Sequence, residues 1–150
     1  MLKKLAELFA APLQREQAPW DQAAVALCVV LLEAARADSH FREEERAHIL
    51  EVLREKLKLS EGDAESLLEE AIQVRDDSTD FWQFTRALNE AYTPEEKTRI
   101  MEDVWRIIFA DGMLDAHEDH LAHKLRGLLN LDHPTFIRAK MKVLEEIRGK

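Results

Sequence analysis

The chain has 150 residues with four Gly and four Pro, and its 21 basic and 30 acidic side chains leave a formal net charge of −9. That length supports one domain with its own core, and a composition dominated by Ala, Leu, Glu, Lys and Arg favours helix over sheet. A field of that sign repels nucleic-acid backbones and anionic lipid surfaces, which argues against both as main partners and leaves cations or a basic protein patch as complements.

The spacing predicts a first helix over Leu2 to Ala10, with Leu2, Leu5 and Phe9 on one face. PLQREQAP, bracketed by Pro12 and Pro19, follows as a linker, so residues 1–19 form an amphipathic helix plus connector and residues 20–150 a single helical domain. The charge of that first helix is nearly balanced (Lys3, Lys4, Glu7), which favours docking on its own bundle over a membrane surface or a second subunit. The start lacks the long apolar core and small-residue cleavage site of a signal peptide.

A second helix, from about Asp21 to Ala37, is apolar on nearly every face and hence central. Its apolar run, Ala23 to Leu32, is ten residues long, too short for a membrane span. Cys28 is the sole cysteine and sits in that run, so the expectation is a buried, inert thiol in a soluble cytoplasmic protein. Phe41, Ile49, Val52, Leu53 and Leu57 mark a third helix. Ser60-Glu-Gly-Asp63 resembles a capping box and opens a fourth, with Leu67, Leu68, Ala71 and Ile72 inward. After RDDSTD (75–80), Phe81, Phe84 and Leu88 mark a fifth helix.

Thr93-Pro94-Glu95-Glu96 is a strong helix start, with Thr as N-cap, Pro at the first helical position and Glu at the third. The sixth helix carries Ile100, Met101, Val104, Ile107 and Ile108 and ends at Ala110-Asp111. Leu121, Leu125, Leu128 and Leu129 define a seventh, and Asp132 followed by Pro134 opens the last. No stretch alternates with period two, so no sheet is expected.

The chain repeats itself. ADSHFREEE (37–45) and ADGMLDAHE (110–118) both follow an apolar run and both place Glu seven positions after Asp. LLEAARAD aligns with WRIIFAD, and LKLS (57–60) with LNLD (129–132) after a one-residue slip. The expected fold is therefore all-α, a compact bundle of seven to eight helices in which helices two to four recur as helices six to eight.

Helical geometry puts Glu45 and Glu118 on the apolar faces of their own helices, near the first turn, where a carboxylate needs a partner. One reading is a hard divalent cation (Ca²⁺, Mg²⁺, Mn²⁺ or Zn²⁺) held by the oxygens of Asp38, Glu45, Asp111, Asp115 and Glu118, with loop carbonyls and water. The other is helix capping, for which Gly112 ends helix six and Asp115 to Glu118 has the spacing of a capping box. The first turn has Ser39 and Arg42 in those places and fits capping less well. Neither turn has the EF-hand spacing.

His117, His120 and His123 recur at i+3 steps, each rotated about 60° from the last, so the three cannot face one ion. Pairs such as His120 with His123, or Asp119 with His123, could ligate a transition metal, but a solvated run is the expectation. His117 and His120, with Phe81 and Trp82 beside the acidic RDDSTD, make a secondary interaction surface for an unknown protein partner. No nucleophile–base–acid arrangement, P-loop, GxGxxG or HExxH is present, and the expectation is a non-enzyme, monomeric or dimeric.

The two Ala-Asp turns, each with a Glu on the following helix, resemble the TerB family of tellurite-resistance proteins, and the chain is similar too to the N-terminal domain of the DnaJ-like co-chaperone DjlA. The resemblance covers roughly Asp21 to Leu144. It implies an all-α fold of about seven helices with internal duplication, and clustered acids binding divalent cations, here Asp38 and Glu45 in one copy and Asp111 and Glu118 in the other. It suggests a stress-related or membrane-proximal role. Residues 133–135 read His-Pro-Thr, not the His-Pro-Asp of a J domain, so co-chaperone activity is not carried over.

Overall fold

A computed structural model describes residues 20–36, 43–78, 80–111 and 116–149. Among these the chain forms seven α-helices and no strand: α1 (Gln22–Ala35), α2 (Glu43–Leu57), α3 (Glu61–Asp76), α4 (Trp82–Ala91), α5 (Pro94–Ile108), α6 (Ala116–Leu128) and α7 (His133–Arg148), with a 3₁₀ turn, Phe109–Asp111, after α5. The predicted helix over Leu2 to Ala10 and its linker lie outside the described residues.

Helix α1 is buried along almost its whole length, from Ala24 to Leu32 without interruption, because it has no polar face to give to water. It lies against α2, α3, α4 and α5. The second central element, α5, lies against α1, α2, α6 and α7, and α4 also contacts α6. One continuous apolar cluster fills the space between them, with Leu27, Leu31, Leu53, Leu68, Met101 and Trp105 sealed from solvent. Truncating any one of these leucines to Ala should cost roughly 2–5 kcal/mol, the transfer term plus the cavity left behind.

Local signals fix the helix ends. Thr93 accepts from the Glu96 amide at 3.1 Å while Glu96 accepts from the Thr93 amide at 2.8 Å, a complete capping box. Ser60 and Asp132 cap α3 and α7 through the amides of Asp63 and Thr135. The α2 and α6 exits are built alike. Lys58 and Asn130 both stand at φ 59°, and the amides of Leu59 and Leu131 reach back to the carbonyls of Arg54 and Arg126 at 3.2 and 3.0 Å. This is the left-handed Schellman closure, here made without glycine.

A polar thread ties three helices together inside the bundle. Lys97 is buried and donates to Asn89 Oδ1 at 2.8 Å, and Asn89 Nδ2 donates to the Leu128 carbonyl at 2.8 Å. Burial holds the Lys97 ammonium below the ordinary lysine value. Helices α4, α5 and α6 are thereby joined by hydrogen bonds as well as packing.

Two boundaries differ from the sequence reading. α1 runs to Ala35 rather than Ala37, and Arg36 closes it with an amide bond to the Leu32 carbonyl at 3.0 Å. α5 stops at Ile108, where the chain tightens into the 3₁₀ turn instead of continuing as α-helix to Asp111. Helix ends commonly satisfy their last carbonyls by such tightening.

Candidate functional site

Glu45 is the third residue of α2 and Glu118 the third residue of α6, and each is only 2 % exposed. The burial follows from register. Glu45, Ile49 and Val52 form one inward stripe on α2, and Glu118, Ala122 and Leu125 the matching stripe on α6. Each glutamate thus occupies the N-terminal end of its helix's core face, where the first-turn amides and the helix dipole favour a negative charge. Neither glutamate is without an interaction partner.

The remaining members of the acidic set are less completely described. Asp38 and Asp115 lie outside the described residues, as do Ser39, Arg42 and Gly112. Asp111 closes the 3₁₀ turn, and only its backbone is described. Among the described residues no group of three or more His, Cys, Asp or Glu side chains gathers around a common point.

The histidines divide. The side chain of His117 is outside the described set, and His120 projects into solvent. His123 rests its ring 4.8 Å from Phe136, with Asp119 at 3.8 Å on the exposed side of α6. On the neighbouring aromatic segment, Phe81 is buried, with the Arg75 guanidinium 5.5 Å from its ring, whereas Trp82 is 51 % exposed under the Arg86 guanidinium at 5.2 Å. The surface expected of both aromatics is therefore presented by Trp82; Phe81 joins Phe84 in the core because α4 begins at residue 82 and turns one ring each way.

A cluster that composition could not reveal lies between α2, α5 and α7. Glu102 and Asp103 are both buried on α5, among Ile100, Met101, Val104 and Trp105. Asp103 accepts from Arg106 at 2.8 Å and pairs with Lys56 at 3.4 Å, Lys142 donates to Glu102 at 3.3 Å, and Arg106 Nη2 donates to Glu146 at 2.7 Å. The Glu146 hydrogen bonds, followed by the Asp103 charge, hold the Arg106 guanidinium firmly protonated. Basic and acidic groups balance here, so the cluster reads as an interhelix lock rather than a binding site. Adjacent acid–acid and base spacings on three helices were the only trace it left in the sequence.

Cys28 is fully buried and burial pushes its thiol far above the ordinary value, which leaves it inert. Among the described residues no helix is long and apolar enough to cross a membrane.

These features define a class, an all-helical bundle with a buried glutamate in the first turn of two of its helices, each seven positions after an aspartate in the sequence. The chain matches the family described as "Tellurite resistance protein TerB" over residues 24–141, from within α1 to within α7, and it belongs to that family. No curated protein and no solved structure gives a significant match.

Proposed function

We propose that the protein is a non-enzymatic TerB-like module that binds a divalent cation through its two acidic inter-helix turns and serves as a scaffold in a stress-response or membrane-proximal assembly in the cytoplasm. The observation that carries this reading is the burial of Glu45 and Glu118 at the same register position of two helices, each seven residues after an aspartate. Helices α1–α3 and α5–α7 are read as copies of one unit joined by α4. The matching exits at Lys58 and Asn130 support that view.

The donor set fits a hard cation. Carboxylate oxygens suit Ca²⁺, Mg²⁺ or Mn²⁺, with Zn²⁺ as the borderline case. Glu45 and Asp38 would hold the ion at one turn, and Asp111, Asp115 and Glu118 at the other. A cation there would add its coordination to the partners that both glutamates already have, and binding would stiffen the α1–α2 and α5–α6 junctions.

The test is thermal unfolding of the full chain with each of the four cations in turn. A native-state ligand raises stability by about 2.7 kcal/mol at a hundred times its dissociation constant. The expected shift grows with ion concentration and is lost in Glu45→Gln/Glu118→Gln. No shift with any ion, or the same shift in that variant, would overturn the proposal. It would favour the second reading, a metal-independent protein-interaction domain in which the acids satisfy first-turn amides. That reading draws support from the placement of both glutamates at the third helical residue.

A further inference from the structure

Of the three large apolar side chains exposed among the described residues, two, Met141 at 44 % and Ile147 at 43 %, stand on α7. That helix turns Phe136, Ala139 and Val143 into the core and leaves its other side open. On the open side Ile137, Met141 and Arg148 fall within about 40° of one another around the helix, with Arg138 and Glu145 along one flank. Ile137, Arg138, Met141 and Glu145 form one wall of a groove of about 1100 Å³, and α5 forms the other through Glu95, Thr98 and Arg99. Neither the acidic turns nor the core uses this groove.

The charges along the groove follow an order. The Lys142–Glu102 and Arg106–Glu146 hydrogen bonds both span 40 residues, so α5 and α7 run side by side in the same direction and in step. Glu95 and Asp132 therefore stand at one end, Arg99 and Arg138 about a turn further on, and Glu145 toward the other end. Arg138 donates to Thr135 Oγ1 on its own helix at 3.2 Å. The side chains of Arg99 and Glu145 make no hydrogen bond or ion pair among the described residues.

We infer that the groove between α5 and α7 seats α7 of a second copy of this chain, laid antiparallel so that the two Met141 side chains meet at the crossing of a symmetric dimer. Charge complementarity selects that occupant. Met141 lies midway between Arg138 and Glu145, so the antiparallel crossing brings Glu145 of the second copy to Arg138 and Arg99. The same register carries Arg148 of the second copy to Glu95, and its Arg138 to Glu145. A two-fold axis repeats each contact, as a self-complementary interface requires. A parallel pair would instead set arginine on arginine and glutamate on glutamate. The 16 residues of α7 extend over ~24 Å. Seating in the groove makes three helix pairs, α7 with α7 and each α7 with the other copy's α5, which adds to the area that a specific interface of ~1,200–2,000 Å² needs.

The experiment is sedimentation equilibrium of the full chain, whose monomer is 17.4 kDa. The expected result is a monomer–dimer equilibrium with a dissociation constant of about micromolar order. Arg138→Glu and Glu145→Arg, both at exposed positions, should each weaken self-association by roughly tenfold or more, because each sets like charges opposite one another twice. An equimolar mixture of the two variants should recover the dimer, since the reversed side chain of one then faces the reversed side chain of the other. Far-UV circular dichroism checks that both keep their helices. Met141→Asp, also exposed, should weaken the dimer by a similar factor and replaces any charge reversal that disturbs the fold. Wild-type association in either single variant, or no recovery on mixing, would overturn the inference. A chain that stays monomeric up to about millimolar concentration would overturn it too, and would leave the face to a different protein.

Discussion

Glu33 on α1 and Arg75 on α3 meet through two parallel hydrogen bonds, Nε to Oε1 at 3.0 Å and Nη2 to Oε2 at 3.3 Å. Across the bundle the polarity is reversed: Arg106 on α5 clamps Glu146 on α7 at 3.0 and 2.7 Å. Each central helix, α1 and α5, is thus fastened to the helix two further along the chain by a guanidinium–carboxylate fork. The Arg75 clamp should not tolerate lysine, because an ammonium cannot reproduce two parallel donors. Arg75→Lys is expected to cost about 1 kcal/mol, since the pair is partly solvated, and Arg75→Ala somewhat more, since it also loses the Ser78 carbonyl and the Phe81 ring. Urea unfolding of both variants, with Glu33→Ala to close a double-mutant cycle, measures the coupling.

Lys58 and Asn130 both occupy the left-handed region at φ 59°. Asparagine tolerates that conformation and lysine does so poorly. Lys58→Gly should therefore stabilise the fold by roughly 0.5–1 kcal/mol, with a smaller gain for Asn130→Gly. Valine at either position should be destabilising. Thermal midpoints of the four variants check the order.

Asp132 caps α7, and its carboxyl is held below the ordinary aspartate value by its hydrogen bonds to the Thr135 side chain and amide. A carboxyl whose folded value is depressed contributes stability above its unfolded value, and this is lost as pH falls through the folded one. Asp132→Asn keeps a capping oxygen but cannot titrate. The wild type should accordingly exceed this variant in stability at neutral pH and lose that margin in the acid range. Denaturation followed from neutral pH down through the carboxylate range reads the convergence.

Phe81 and Trp82 are neighbours with opposite fates. Phe81→Ala should cost about 3 kcal/mol as a core deletion. Trp82→Ala should stay within about 0.5 kcal/mol, because its ring is half exposed and touches a surface arginine. If Trp82 serves a protein partner, its replacement weakens that complex while the melting curve stays in place. A large stability loss at Trp82 would contradict the surface role.

Much of the bundle was legible because its signals are local. The caps at Ser60, Thr93 and Asp132 and the uninterrupted apolar run of α1 need only a few neighbouring residues to act. The inward placement of Glu45 and Glu118 was legible for the same reason, since helical register alone carries a side chain to the core face. The Glu102–Lys142 and Asp103–Lys56 links were not, because their partners are remote in sequence and meet only once α2, α5 and α7 have packed.

The sequence by itself determined the seven described helices, the caps at Ser60, Thr93 and Asp132 and the family to which the chain belongs, because short-range periodicity and capping chemistry carry them. Tertiary structure alone decided which of two adjacent aromatics is buried and which charges become an interhelix lock. Those outcomes depend on where whole helices come to lie, and packing of distant apolar faces sets that position, not any local run of residues.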